Sequence, residues 1–126
     1  MMVLLPSGLT VGLSAQPVKM RQKPDPAKFE LAVSLIKKFE GLHERDNFPY
    51  YGFGHRLLPG ENLSYDMTEA EAEALLRRDL MKRYALFRSY GKDALLLMVL
   101  SYNVGTSALL GYGKRPKSRL LRKLEA

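Results

Sequence analysis

From Asp25 onward the apolar positions recur at helical spacing. Phe29, Ala32, Val33 and Ile36 share one stripe, with Asp25 as N-cap, Pro26 at the first helical position and Gly41 as the stop. Glu40 is the next member of that stripe, so a helix that buries the stripe is expected to aim the Glu40 side chain at the core or at a cleft beside it. The pattern then changes. Between Phe48 and Leu58 the chain is aromatic and glycine-rich and reads as strand and hairpin, followed by a turn at Pro59-Gly60. Alternation sets Tyr51, Phe53, His55 and Leu57 on one face, while Gly52 and Gly54 leave the other face bare, so that something can approach the backbone closely.

Helical periodicity returns at Thr68, where Thr68 and Glu71 form a capping-box pattern and open a helix through Ala72, Leu75, Leu76 and Leu80 toward Phe87, ended by Gly91. A third helix is expected from Asp93 to about Asn103. It is apolar nearly all round, hence central, and stops at Gly105. The stretch from Lys114 to Lys123 is basic, with Leu120, Leu121 and Leu124 as the apolar edge of a short last helix. The sum is an α+β fold, mostly helical, with a small antiparallel hairpin packed on helices and a cleft between the hairpin and the central helix.

Composition narrows the classes. A chain of 126 residues with 46% hydrophobic content fits one packed domain, expected over residues 27–126, behind an apolar segment and a basic, proline-rich linker at 1–26. Residues 1–15 are apolar, and Leu13-Ser14-Ala15 resembles a small-residue cleavage site, yet no Lys or Arg precedes the run as a signal peptide requires. Nothing later could cross a bilayer, since the run Ala94–Leu100 is too short, so no stable membrane insertion is expected. A net charge of +7 favours polyanions, among them nucleic acid, anionic lipid and wall polymers. The lack of cysteine removes disulfides, thiol nucleophiles and Cys-based zinc sites.

Glu40 carries the strongest chemical hint. The negative end of a helix dipole and burial both favour a protonated carboxyl, which is what a general acid needs; the alternative is a glutamate that bends out to solvent or pairs with a basic neighbour. Other chemistries fail on spacing. A His-Glu-x-x-His zinc motif starting at His43 and Glu44 would need histidine where Asn47 stands, so no metal is expected, nor any other cofactor. A dinucleotide loop would need a third glycine where Leu57 stands. No serine sits in a glycine-flanked elbow. The basic tail lacks interleaved aromatics for base stacking, so no nucleic-acid partner is expected.

Taken in order, Phe39-Glu40-Gly41-Leu42, Tyr51-Gly52-Phe53-Gly54-His55, Thr68-Glu69-Ala70-Glu71-Ala72 and Tyr102-Asn103-Val104-Gly105 resemble the phage-type lysozymes of glycoside hydrolase family 24, over about residues 30–122. The resemblance implies a lysozyme-like fold, a periplasmic or secreted monomer, and hydrolysis of peptidoglycan between N-acetylmuramic acid and N-acetylglucosamine. Glu40 matches the family's catalytic acid. Tyr51, His55 and Asn103 correspond to cleft-lining, substrate-binding positions, each with a structural alternative: Tyr51 as a core aromatic, His55 as a hydrogen-bonded hairpin brace, Asn103 as a helix-end residue.

The chain departs from the family where the second catalytic carboxylate belongs. The interval from Glu40 to His55 is shorter than usual and offers Glu44 and Asp46, with Tyr50 or Tyr51 where a threonine is expected. Asp46, just before the strand, is the candidate, with Glu44 or a plain surface role as the alternatives. A wall-binding protein that has lost turnover is therefore the second functional expectation. The family fold also continues past the position matching Leu121, which raises the expectation of a C-terminally truncated copy.

Overall fold

The computed structural model describes residues 23–126; the apolar segment at 1–15 and the cleavage-like residues at 13–17 lie outside the described residues. The order of elements is α1 (Pro26–Glu40), a 3-10 turn (Arg45–Asn47), β1 (Tyr50–Tyr51), β2 (His55–Arg56), α2 (Glu69–Phe87), a 3-10 segment (Arg88–Asp93), α3 (Ala94–Val104), α4 (Thr106–Leu110) and α5 (Arg119–Glu125). The fold is α+β and mostly helical, with one small antiparallel sheet. Two compact units are present, residues 25–83 and residues 84–126 with Lys23 and Pro24. Among the described residues no helix is long and apolar enough to cross a membrane.

In the first unit, α1 begins where its N-cap predicts: the Asp25 carboxylate accepts from the Lys28 backbone N–H at 3.0 Å, and Pro26 occupies the first turn, where no N–H is needed. It buries Phe29, Ala32, Val33 and Ile36. Gly41 ends it at φ 67°, its N–H closing on the Lys37 carbonyl.

The hairpin is tighter than the sequence pattern suggests. Only Tyr50–Tyr51 and His55–Arg56 pair, with Tyr50 opposite Arg56 and Tyr51 opposite His55, and Gly52-Phe53-Gly54 forms the turn. Tyr51, Phe53 and His55 are buried as alternation predicts, whereas Leu57 is only half-buried. Of the two glycines, Gly52 meets α2. At Gly52 (φ +56°) a Cβ would stand 3.3 Å from the Ala72 Cβ, so backbone touches methyl there and the hairpin docks directly on the helix.

The capping box opens α2 reciprocally: the Thr68 N–H donates to the Glu71 carboxylate at 2.8 Å and the Glu71 N–H donates to the Thr68 hydroxyl at 3.1 Å. Charge joins α1 to α2. Arg77 forks onto both Glu30 oxygens at 2.6 and 2.7 Å, and Lys37 reaches Glu73 at 2.6 Å and Glu69 at 3.1 Å. These partners hold Glu30 and Glu73 below the usual carboxylate range and Lys37 above its usual value.

In the second unit, Gly91 (φ 61°) interrupts the helical backbone before α3, and Gly105 caps α3. The expectation of a central helix holds for only part of its surface. Ala94, Leu97, Met98 and Ser101 are buried, but Leu96 and Val104 are exposed, so α3 presents one packed face in spite of its apolar sequence. The apolar edge expected on the last helix divides likewise: Leu121 is fully buried, while Leu120 and Leu124 are exposed.

Candidate active site

Glu40 is the last residue of α1, and its side chain is 32% accessible to solvent. The core is not its destination: Glu40 is exposed and lies beside His43, which is the alternative of a glutamate that bends out to solvent or pairs with a neighbour. Stripe position fixes the direction of the Cα–Cβ bond but not the depth of the surface opposite, and at the final helical residue that surface has run out. The Glu40 Oε1 lies 3.2 Å from the His43 Nε2. The His43 backbone N–H donates to the Gly52 carbonyl at 2.8 Å, so the segment after α1 is sewn to the hairpin turn. The His43 ring is tilted against Tyr50 at 6.1 Å between centroids, and Arg56 lies over the Tyr50 ring at 5.8 Å. Glu40, His43, Tyr50 and Arg56 therefore form a chain of contacts along one accessible edge of the hairpin.

Asp46 stands elsewhere on the same unit. It is exposed on the 3-10 turn, whose start is fixed by the Glu44 N–H donating to the Asn47 side chain at 2.7 Å. Glu44, Arg45 and Asp46 share the wall of a pocket of about 280 Å³ with Tyr65 and Asp66, and Glu40 is not among its lining residues. The sequence-derived candidates for the second carboxyl thus sit together, in a grouping distinct from that of Glu40.

Tyr51 is buried and stacks on Tyr65 at 4.0 Å between nearly parallel rings. Burial pushes the Tyr65 phenol up. His55 is buried with both ring nitrogens engaged: Nδ1 lies 2.6 Å from Asp79 Oδ2 and Nε2 lies 2.7 Å from Glu61 Oε1. Glu61 also accepts from the Leu58 N–H at 2.7 Å and faces Arg78 at 3.5 Å. The His55 contact first and the Leu58 N–H second hold the Glu61 carboxyl below the usual range. Asn103 is exposed on the last turn of α3, in the second unit.

Two members of this network were not legible as such from the pattern, although one carried a signal. Asp79 lies on the buried face of α2 beside Leu75, Leu76 and Leu80 and is 5% exposed, so a carboxylate on an apolar stripe describes Asp79 better than Glu40. Glu61 gave no signal beyond following the Pro59-Gly60 turn. Among the described residues no group of three or more acidic or histidine side chains is arranged to hold a metal ion.

A pocket of about 580 Å³ lies between residues 61–67 and one face of α2, with Leu63, Met67 and Leu75 as apolar lining and Glu61, Glu71 and Arg78 as polar lining. It contains none of the catalytic or substrate-binding candidates read from the sequence: Glu40, Glu44, Asp46, Tyr51, His55 and Asn103 all lie outside its lining. Compared with family models, curated proteins and solved structures, the chain matches none of them.

Proposed function

We propose that this chain is a peptidoglycan N-acetylmuramidase in which Glu40 is the general acid. One observation carries the reading: an accessible carboxyl at the end of α1 is linked through His43 to the Gly-x-Gly hairpin, the juxtaposition that the order of the motifs implies. In the reaction, protonated Glu40 gives its proton to the glycosidic oxygen as the bond to the muramic acid C1 breaks. A water then adds to C1 and loses its proton to a second carboxylate, for which Asp46 is the candidate and Glu44 the alternative. That arrangement gives inversion, which requires carboxyls separated by roughly 6.5 to 9.5 Å across the sugar.

Digestion of purified sacculi, followed by analysis of the released sugar ends, tests the proposal. Wild-type protein is expected to release reducing-end muramic acid, and Glu40→Gln to lower the rate by about 100-fold or more. Full activity in Glu40→Gln overturns it. Asp46→Asn and Glu44→Gln, assayed side by side, identify the second carboxyl by which of them loses turnover.

A second reading is favoured by the pocket that groups Glu44 and Asp46 without Glu40. In that case the protein binds wall glycan and does not cleave it. Retention on sacculi with no released fragments supports this reading over the first.

A further inference from the structure

Residues 112–124 carry six Lys or Arg and no Asp or Glu. Lys117 alone of the six has a carboxylate partner among the described residues, Glu125 at 2.7 Å; Lys114, Arg115, Arg119, Arg122 and Lys123 have none. The segment that carries them is built rather than loose. Tyr112 and Arg115 exchange both backbone hydrogen bonds, at 3.1 and 2.8 Å, and the chain folds back so closely that a Cβ on Gly111 would stand 2.6 Å from the Arg115 carbonyl. The Ser118 N–H then ties the start of α5 to the Leu109 carbonyl at 2.8 Å.

This frame holds apolar side chains in water beside the cations. Tyr112 is 82% exposed, and the bonded pairing sets it on the same side of the turn as Arg115. On α5, Leu121 faces inward, while Leu120 and Leu124, one turn apart, are 42% and 39% exposed. Arg119 and Lys123, also one turn apart, occupy the adjoining stripe. Cations alone would suit any polyanion. A hydrated polymer, nucleic acid or wall glycan, offers the two leucines nothing; a bilayer surface with anionic headgroups takes cations and leucines together.

We infer that the turn at 112–115 and α5 form a peripheral docking surface for an anionic lipid bilayer, with Leu120, Leu124 and Tyr112 entering the interface and the unpaired cations meeting the headgroups. The inference goes beyond the muramidase reading and does not depend on it. It is also compatible with the lack of a spanning helix among the described residues.

Co-sedimentation of the full chain with vesicles tests it, using phosphatidylcholine alone and phosphatidylcholine mixed with phosphatidylglycerol. The wild type is expected to bind the mixed vesicles, to ignore the neutral ones and to be released by high salt. Replacing the pair Arg119→Gln and Lys123→Gln is expected to weaken binding about 30-fold. Replacing Leu120→Ser and Leu124→Ser is expected to weaken it several-fold while leaving the charge unchanged. All four side chains are exposed, so the fold should tolerate both changes, and residues 1–22 are the same in every protein compared. Wild-type binding by either double variant overturns the inference, as does equal binding to neutral vesicles. Retention of a single-stranded DNA oligonucleotide without vesicle binding also overturns it, in favour of a nucleic-acid surface.

Discussion

His55 Nδ1 stands 2.6 Å from Asp79 Oδ2, and this buried bond fastens the second strand of the hairpin to the middle of α2. Asp79→Ala leaves the imidazole facing Glu61 alone across a void inside the protein. Leaving a buried hydrogen-bonding group without its partner commonly costs about 1 to 3 kcal/mol, and a loss at that scale is expected in urea unfolding at neutral pH. A loss below about 1 kcal/mol would mean that the hairpin is held by its apolar contacts and the pair is incidental.

The other side of the same imidazole makes stability depend on pH. Glu61 is held below its ordinary value of 4.5, by His55 first and the Leu58 N–H second, so folding favours its ionised form. Its contribution is complete above the unfolded value and disappears as pH falls through the lower folded value. The difference in urea midpoint between wild type and Glu61→Gln should therefore be widest above about pH 5 and close as the medium is acidified below the ordinary carboxylate range. A gap independent of pH would show that Glu61 acts by shape rather than charge.

Gly52 and Gly60 separate two reasons for needing glycine. Both have positive φ, +56° and +85°, but a Cβ at Gly52 meets Ala72 at 3.3 Å whereas one at Gly60 meets nothing within 4 Å. Gly60→Ala should lose only the left-handed backbone penalty, about 1 kcal/mol, and Gly52→Ala about 2 kcal/mol because the added methyl must also be accommodated against Ala72. Equal losses in thermal or urea unfolding would remove the close approach as a structural determinant.

Arg77→Lys keeps a positive charge between α1 and α2 but loses the fork onto Glu30 and the third bond to Glu73 at 2.9 Å. Glu30 is exposed and Arg77 and Glu73 are half-buried. A small fall in urea midpoint is expected at low ionic strength, vanishing near about 1 M salt, where the screening length shrinks to roughly 3 Å. A large fall that survives salt would place the value of Arg77 in its packing instead.

Much of the first unit was legible because its signals are local. The Asp25-Pro26 start, the Gly41 stop and the Thr68-Glu71 box depend on residues within one turn of each other, and each forms as its pattern predicts. The glycine face of the hairpin announced a close approach, though not that Ala72 would make it. What failed to read was depth. Glu40 and Asp79 look alike as carboxylates on apolar stripes, and only the elements packed opposite decide that Asp79 is buried and Glu40 is not. The same limit applies to α3 and α5, where a run of leucines states hydrophobicity on every side and leaves the covered side to packing. The short 3-10 turn at Arg45–Asn47 carries no periodicity, which is why the candidates for the second carboxyl could be named but not grouped.

The meeting of Gly52 with Ala72 also restricts how this protein can change over time. A Cβ at position 52 would press on the Ala72 methyl at 3.3 Å, so a change of size at either position is felt at the other. The two positions are consequently a single inherited unit. Lineages should keep both residues, or alter them jointly, even where the exposed acidic residues nearby diverge.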